Sequence, residues 1–273
     1  MNDKALTWEE AVEWLRSQPD QAELVKACYY DDPLLDAAER FHQSTEWKEI
    51  QKRLPQHKGK VLDLGAGRGI SSFAFSREGW EVVAIEPDRS TIVGAMAIKH
   101  LGDETALPIS VLQIFAETLP FKDNSFDVVY GRQILHHAQD LSVMCNELSR
   151  VLKPGGIFIA TREHVISKPA DLDCFLAQHP LQKMYGGENA YLLQTYIDAI
   201  QQSGIHIDEV LNPSASNINL FPGSQETMKN NLAQRIHLPF PSLIPTAILK
   251  VLGKFNHNPG RLYSFIGKKT HDQ

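Results

Sequence analysis

The sequence is short of the features that mark membrane, disulfide-rich and nucleic-acid-binding proteins. It contains no apolar run of the roughly 18 residues that a membrane-spanning helix requires. Its three cysteines, Cys28, Cys145 and Cys174, lie far apart and form no C-x-x-C pair, so we expect reduced thiols and no cysteine metal site. The net charge of −6 argues against a broad surface for nucleic-acid phosphates, which requires clustered lysines and arginines.

The beginning of the chain also lacks a targeting signal. Residues 1–10 are polar and acidic and show no basic segment followed by an apolar core, so no secretory signal peptide is expected. We therefore predict a cytoplasmic protein with no stable membrane insertion and no nucleic-acid partner. A chain of 273 residues, 42% of them hydrophobic, can hold one α/β domain with additions.

The most informative segment that is present is glycine-rich. Residues 61–69 read VLDLGAGRG, so a short apolar run ends in a turn with three glycines. A helical segment follows, and a second apolar run over 81–85 ends at Glu86. An acidic residue about 20 positions after the first glycine of such a loop meets the hydroxyls of a ribose. The pattern predicts a strand, loop, helix and strand that bind an adenosine-containing ligand.

The loop itself favours one ligand over another. The dinucleotide fingerprint is G-x-G-x-x-G, but here the glycines follow G-x-G-x-G and Ile70 stands at the position of the third dinucleotide glycine. Asp63 lies at the edge of the same loop, where its charge would oppose a pyrophosphate and attract an ammonium group. S-adenosylmethionine carries adenosine and an ammonium group and no phosphate. A nicotinamide-dependent oxidoreductase is the less favoured alternative.

Further segments follow in the order typical of one enzyme family. They are Glu86-Pro87-Asp88, 116–121 (AETLPF), 125–130 (SFDVVY), 133–137 (QILHH) and 148–156 (LSRVLKPGG). With the glycine-rich loop, they resemble the class I S-adenosylmethionine-dependent methyltransferases over residues 58–165, and within them the type 11 (ubiquinone/menaquinone methyltransferase-like) branch. The resemblance implies S-adenosylmethionine as cofactor and S-adenosylhomocysteine as product.

The resemblance also implies which residues hold the cofactor. Asp63 and the first two glycines would shape the methionine end, Glu86 would hold the ribose hydroxyls, and residues 116–117 would lie along the adenine. The predicted cofactor-binding residues are Asp63, Gly65, Ala66, Gly67, Glu86, Pro87, Ala116, Glu117, Gly131 and Arg132.

Alternating apolar and polar patterns predict the fold. Strands are expected at 60–64, 81–85, 109–114, 126–130, 156–163, 205–211 and 261–267, and helices at 69–78, 89–100, 139–152 and 189–203. The expected architecture is α/β, a Rossmann-like seven-stranded mixed sheet that is mostly parallel, with its last strand antiparallel and helices on both faces. Residues 1–57 would form an N-terminal helical cap and 58–273 the methyltransferase domain, with 212–259 as a substrate-side insertion between its sixth and seventh strands.

Candidate catalytic and substrate-binding residues follow the predicted fourth and fifth strands. The candidate bases are His136, His137, Glu163 and His164, and the candidate substrate contacts are Tyr30, Arg162 and Tyr185. Histidine suits a general base because its unperturbed pKa lies near working pH. The two adjacent histidines are equally compatible with ordinary helix-start residues, and residues 162–164 with a solvated strand end. Adjacent histidines on a helix point about 100° apart and chelate poorly, so no metal site is predicted.

The sequence thus predicts an enzyme that transfers a methyl group to a small-molecule acceptor, with oxygen as the first choice of acceptor atom. Methylation of carbon, as on a quinone-like or other acidic carbon, is the alternative. A non-catalytic module that binds S-adenosylmethionine or S-adenosylhomocysteine is a further alternative, and metal-assisted transfer is a minor one. The acceptor itself and the oligomeric state, a homodimer included, stay open.

Overall fold

One mixed β-sheet forms the centre of a computed structural model that describes residues 6–270. In chain order its strands are β1 Lys60–Leu64, β2 Glu81–Ile85, β3 Ile109–Leu112, β4 Phe126–Arg132, β5 Leu152–Ile166, β6 Tyr191–Leu192, β7 Ile205–Leu211 and β8 Arg261–Lys269. Across the sheet the order is β3-β2-β1-β4-β5-β8-β7, and β6 pairs with β5. Residues 1–5 and 271–273, which belong to the predicted cap and the predicted methyltransferase domain, lie outside the described residues.

The strand directions agree with the predicted topology. Strands β1 to β5 pair in parallel, whereas β8 runs antiparallel to both β5 and β7. The predicted Rossmann-like mixed sheet is therefore confirmed. The short strand β6, which pairs in parallel with the end of β5, is an eighth strand that the sequence did not predict.

Side chains of the central strands alternate between two apolar cores, because successive residues of a strand point to opposite faces. Leu62 and Val129 belong to one core, and their neighbours Val61 and Val128 belong to the other. Because both faces of these parallel strands are buried, polar residues that meet a ligand lie at the ends of the strands.

Helices cover both faces of the sheet. In chain order they are α1 Trp8–Ser17, α2 Ala22–Ala27, α3 Leu34–Gln43, α4 Thr45–Gln51, α5 Ile70–Arg77, α6 Ala95–Thr105, α7 Leu141–Val151, α8 Asp171–Gln178, α9 Leu193–Gln202, α10 Asn217–Leu220, α11 Gln225–Arg235 and α12 Thr246–Lys254. The first helix begins with a capping box, in which Thr7 and Glu10 each accept a hydrogen bond from the other's backbone. Within residues 6–270, no helix is long and apolar enough to cross a membrane.

The helix predicted at 89–100 begins later than the sequence suggests. Its first expected turn is replaced by a loop, in which the hydroxyl of Ser90 accepts hydrogen bonds from the backbone N–H groups of Ile92 and Val93. Serine side chains compete for backbone donors in this way and disfavour a helix. Helix α6 therefore starts at Ala95, so the segment after Glu86 forms a turn beside the glycine-rich loop.

Two boundaries after the fourth strand also differ from the prediction. Strand β5 starts at Leu152 rather than at 156, so residues 153–155, which the prediction left between a helix and a strand, lie within it. The helix predicted from 189 starts at Leu193, because the two residues before it form β6. Asn189 therefore does not cap this helix, and its side-chain oxygen accepts from the backbone N–H of Ala190 instead.

The segment 212–259 contains α10 to α12 and lies at the β7–β8 edge of the sheet. Helix α10 packs against α4, β5 and β8. The side-chain amide of Asn219 donates to the carbonyls of Leu211 and Asn212, which ties the start of this segment to the end of β7. Together with the start of β8, the segment lines a cavity of about 390 Å³. Its role as a substrate-side insertion stays a prediction.

Candidate functional site

A cavity of about 450 Å³ opens at the carboxyl ends of β1, β2 and β4. Ligands of open α/β sheets bind at this edge. The predicted cofactor residues that line it are Asp63, Gly65, Ala66, Gly67, Glu86, Pro87 and Arg132. The predicted catalytic and substrate residues that line it are His136, His137, His164, Tyr30 and Tyr185.

The glycine-rich loop brings bare backbone to the cavity. Gly65 and Gly67 have φ values of +53° and +55°, a region that glycine enters without steric strain. A Cβ atom on Gly65 would overlap the side chain of Ile134. The loop therefore requires glycine at this position, and its backbone forms the cavity wall where the predicted motif binds its ligand.

Asp63 presents a carboxylate oxygen that has no partner. The residue is 1% exposed, and its Oδ2 accepts hydrogen bonds from the hydroxyls of Ser71 and Ser72 at 2.7 and 2.5 Å. Its Oδ1 is buried and has no hydrogen-bond partner among residues 6–270. Burial raises the pKa of Asp63 to about 6. An unpaired buried acceptor is costly unless a ligand completes it, so this oxygen fits a cationic ligand group such as an ammonium.

Glu86, which follows β2, is hydrogen-bonded to the glycine-rich loop. Its Oε2 accepts from the backbone N–H of Gly67 at 2.8 Å, and its Oε1 accepts from the backbone N–H of Asp88 at 2.9 Å. Burial raises the pKa of Glu86 to about 7. A carboxylate oxygen accepts more than one hydrogen bond, so both oxygens keep acceptor capacity for the hydroxyls of a ribose.

Arg68, inside the glycine-rich loop, joins that loop to the N-terminal helices. Its guanidinium donates to the carbonyls of Tyr29 and Asp31, each at 2.8 Å, and pairs with the carboxylate of Asp32. These contacts hold residues 28–30 on the cavity wall. Sequence reasoning missed this role, because nothing in the motif indicates where a long arginine side chain will reach.

Arg132, a predicted cofactor residue, lines the cavity but uses its guanidinium on another helix. It donates to both carboxylate oxygens of Glu46 in α4, at 2.8 and 3.2 Å. The Glu46 side chain is fully buried and that of Arg132 is 12% exposed. Burial alone would lower the pKa of Arg132, but the Glu46 carboxylate outweighs it and raises this pKa above its usual range. The pair therefore fixes the N-terminal helices to the end of β4.

The candidate base Glu163 lies beneath His136 and does not line the cavity. Its carboxylate accepts from the backbone N–H groups of Ile134, Leu135 and His136, and its Oε2 lies 2.7 Å from Nδ1 of the His136 ring. Glu163 is fully buried. With four hydrogen bonds inside the protein, this carboxylate is suited to orienting His136 rather than to meeting an acceptor.

Several imidazoles and one more carboxylate meet in another part of the same cavity. Nδ1 of His164 lies 2.9 Å from the carbonyl oxygen of Gly260, and Nε2 of His136 lies 3.8 Å from the carboxylate of Glu188. Burial lowers the pKa of His164 to about 3 and also lowers the pKa of His136. The lowered pKa values favour the neutral form of both rings, which is the form of histidine that ligates metals.

Sequence reasoning missed this group because its members come from separate segments. His136 follows β4, His164 lies in β5, and Glu188 lies in the loop before β6. One ligand atom from each lies within 4.8 Å of the others. The adjacent pair that the sequence offered, His136 and His137, contributes only its first member.

The segment 185–188 folds over this part of the cavity. The Tyr185 hydroxyl donates to a carboxylate oxygen of Glu188 at 3.2 Å, and Nδ1 of His137 lies 3.0 Å from the carbonyl oxygen of Gly187. Gly186 and Gly187 have φ values of +79° and +83°, so the chain turns here through a conformation that favours glycine.

Arg162 points away from the cavity. Its guanidinium donates to the carbonyls of Ile218 and Phe221, so it does not face the cavity as a substrate contact. The pairing of β5 with β8 shifts register between Ala160 and Glu163, and Arg162 has a φ of +62°. This irregularity breaks the strict alternation of faces that a regular strand would show.

Three predicted cofactor residues also lie outside the cavity wall. Ala116 is buried, and a carboxylate oxygen of Glu117 accepts from the backbone N–H of Gln139. The carbonyl of Gly131 accepts from the hydroxyl of Thr161. Their contacts with a cofactor stay predictions.

Comparison with known proteins finds similarity over the central part of the chain. Residues 62–160 match the family model described as a methyltransferase domain. A phosphoethanolamine N-methyltransferase of Triticum aestivum is 31% identical over 149 residues, which cover 54% of this chain and 28% of that protein. A ubiquinone biosynthesis O-methyltransferase of Rhizobium etli is 29% identical over 133 residues, which cover 48% of this chain and 52% of that protein. The chain thus spans about half, or less, of the length of these relatives.

The fold has similar solved structures over most of its length. Geranyl diphosphate C-methyltransferase from Streptomyces coelicolor, solved with Mg²⁺, geranyl diphosphate and S-adenosylhomocysteine, superimposes with a TM-score of 0.62 and 13% identity. The match covers 93% of this chain and 86% of that one. At this identity the match shows a shared fold, and the predicted resemblance to methyltransferases is confirmed over residues 62–160 by the family model.

Proposed function

We propose that this chain, whose residues 62–160 match a methyltransferase domain model, transfers the methyl group of S-adenosylmethionine to a small-molecule acceptor. The observation that carries the proposal is the unpaired Oδ1 of Asp63, buried beside a glycine-rich loop and in the same cavity as Glu86. An acceptor for a cation and an acceptor for hydroxyls, in one cavity, match the methionine and ribose ends of this cofactor.

The residues of the chain would mainly bind and orient. S-adenosylmethionine supplies a methyl group that its sulfonium already activates. Asp63 would hold the ammonium group, Glu86 would hold the ribose hydroxyls, and the glycine-rich loop would let the backbone approach. Residues 28–30, fixed by Arg68, cover the cavity from the N-terminal side and help to exclude water.

The proteins named above methylate nitrogen, oxygen and carbon, so the acceptor atom of this chain depends on the groups that line its cavity. We assign oxygen. A hydroxyl acceptor needs a group that takes its proton, and His137 lines the cavity while its Nδ1 is used by the carbonyl of Gly187. With Nδ1 donating to that carbonyl, Nε2 of His137 keeps a free lone pair. An acidic carbon, which needs the same base, is the alternative.

Replacing Glu86 by alanine should weaken S-adenosylmethionine binding. Hydrogen bonds to a charged group contribute about 1.5–3 kcal/mol each, so losing the ribose contacts should lower affinity about 10- to 100-fold. Calorimetric titration with S-adenosylmethionine and S-adenosylhomocysteine measures the change. Glu104→Ala, at an exposed position of α6, is the matched control and should leave affinity unchanged. Unchanged affinity in Glu86→Ala, or binding of NADH instead, would contradict the assignment.

S-adenosylmethionine affinity should also fall as the pH is lowered. Burial raises the pKa of Asp63 to about 6 and that of Glu86 to about 7, and only the ionised carboxylates accept fully. Affinity should therefore drop at least about tenfold between pH 8 and pH 5. The free protein should behave oppositely, because a raised carboxyl pKa favours the folded state at low pH and this stability is lost as pH rises through 6–7.

The two pH trends can be measured on one preparation. Calorimetric titrations and thermal unfolding between pH 5 and pH 8 give the affinity and the stability. In Glu86→Gln only the dependence centred near pH 6 should remain, because Asp63 is then the one raised carboxylate at the cofactor loop. An affinity that does not change with pH would show that neither carboxylate meets the cofactor.

Turnover distinguishes the enzyme from a binding module. Release of S-adenosylhomocysteine should rise when a hydroxyl-bearing acceptor is added, and His137→Ala should lower this rate while leaving cofactor affinity unchanged. Tight cofactor binding without turnover on any acceptor, hydroxyl-bearing or acidic at carbon, would favour the non-catalytic alternative.

A further inference from the structure

We propose that His136, His164 and Glu188 form a binding site for a divalent first-row transition metal at the edge of the cavity. Their ligand atoms all lie within 4.8 Å of one another, and all three residues line the cavity. Two imidazoles and one carboxylate suit Zn²⁺, Fe²⁺ or Co²⁺, whereas Mg²⁺ prefers oxygen ligands alone. The site does not depend on the proposed function, because it rests on the ligands themselves.

The ring of His136 is held as a metal-binding histidine is held. Its Nδ1 lies 2.7 Å from the carboxylate of Glu163, which three backbone N–H groups fix in turn. Donation from Nδ1 to a carboxylate sets the tautomer and leaves the Nε2 lone pair free. That Nε2 faces the carboxylate of Glu188 at 3.8 Å.

The ring of His164 is held in the same manner by a backbone group. Its Nδ1 lies 2.9 Å from the carbonyl oxygen of Gly260, an acceptor that fixes the tautomer with the proton on Nδ1. Nε2 is again the free atom. The rings of His136 and His164 lie 4.8 Å apart between centroids, so the two separately held imidazoles are neighbours in this cluster.

A further buried group in the same cluster lacks a partner. Nδ1 of His179 is buried, has no hydrogen-bond partner among residues 6–270, and lies 3.7 Å from the carboxylate of Glu188. A ligand in this cluster would complete donors and acceptors that the protein leaves unpaired. In a tetrahedral Zn²⁺ site the ligand atoms lie about 3.3 Å apart, so the three ligands, now within 4.8 Å of one another, must draw together around an ion, and one of them is Glu188. It follows Gly186 and Gly187, the residues best able to allow that shift.

A metal at this site would deepen the proposed function and, in this role only, rests on it. Three protein ligands leave coordination positions open toward the cavity. An acceptor that carries a hydroxyl or enol could bind there through oxygen, and the metal would lower the pKa of that group. The substrate class expected on this basis is a metal-chelating oxygen nucleophile rather than an amine.

The test is metal binding by the whole chain, measured without turnover. Apo protein, freed of any affinity tag, is titrated with Zn²⁺ by calorimetry and with Co²⁺ by visible absorption. We expect one equivalent of Zn²⁺ with a Kd of about 1 μM or lower, and a Co²⁺ spectrum of the bound ion. His164→Ala and Glu188→Gln should each weaken Zn²⁺ binding at least tenfold, and Glu163→Gln, which keeps all three ligands, about 10- to 100-fold.

His100→Ala, at an exposed histidine of α6, is the matched control and should bind Zn²⁺ as the unchanged chain does. Thermal unfolding identifies any variant that fails to fold. If His164→Ala fails to fold, Glu188→Gln still tests the site. The site would be overturned if the unchanged chain bound Zn²⁺ no more tightly than Glu188→Gln does. It would also be overturned if both His164→Ala and Glu188→Gln bound Zn²⁺ as tightly as the unchanged chain. Titration of the same samples with S-adenosylmethionine separates this failure from a failure of the proposed function.

Discussion

Asp63→Ala should lower the affinity for S-adenosylmethionine by about 30- to 700-fold, because truncating one member of a buried, hydrogen-bonded charge pair costs about 2–4 kcal/mol. The side chain is 1% exposed, and its Oδ1 has no other partner within residues 6–270. In the free protein this oxygen is therefore an acceptor without a donor. The ammonium group of the bound cofactor would supply its missing hydrogen bond. Calorimetric titration measures the loss.

Matched variants separate the charge from the packing around it. Asp63→Asn keeps the volume and removes the charge, so it should lose most of the same affinity. Ser72→Ala removes only one hydroxyl that donates to Oδ2, and we expect less than about a tenfold change. Thermal unfolding shows which variants are folded. If folded Asp63→Asn and Asp63→Ala both bind as tightly as the unchanged chain, the ammonium group is not at Asp63.

The fold could be predicted where local pattern decides it. Strands β1, β2 and β7 begin and end at the predicted residues, because each is a short run bounded by turn signals. The start of α6 could not be predicted, because the hydroxyl of Ser90 accepts from the backbone N–H groups that would belong to the first turn of the expected helix. Strand β6 is only two residues long and is defined by its pairing with β5, which no local pattern shows.

The site divides in the same way between local and long-range contributions. The glycine-rich loop and Glu86 belong to one strand–helix–strand unit, so their spacing alone indicated a shared cavity. The group of His136, His164 and Glu188 depends on how three segments fold together. The direction of the Arg162 side chain depends on an irregular pairing of β5 with β8. Such contacts follow from tertiary structure, which one sequence read locally does not contain.

Glu46→Ala should strongly destabilise the fold, because it leaves the guanidinium of Arg132 buried without its partner. Removing one member of a buried ion pair costs about 3–5 kcal/mol. Glu46 is fully buried and accepts from two nitrogens of Arg132 at 2.8 and 3.2 Å. For a chain of this size we expect Tm to fall by about 6–20 °C. Thermal and denaturant unfolding measure the loss of stability.

An exposed ion pair supplies the matched control. Asp123 pairs with Arg150 at 2.7 Å, but the Asp123 side chain is 70% exposed, so Asp123→Ala should lose only about 0–1 kcal/mol. The double variant Glu46→Leu/Arg132→Met removes both buried charges and should recover most of the stability that Glu46→Ala loses. If Glu46→Ala is no less stable than Asp123→Ala, the pair does not hold the N-terminal helices to the sheet. Cofactor affinity should then also be unaffected, because residues 28–30 would keep their place on the cavity wall.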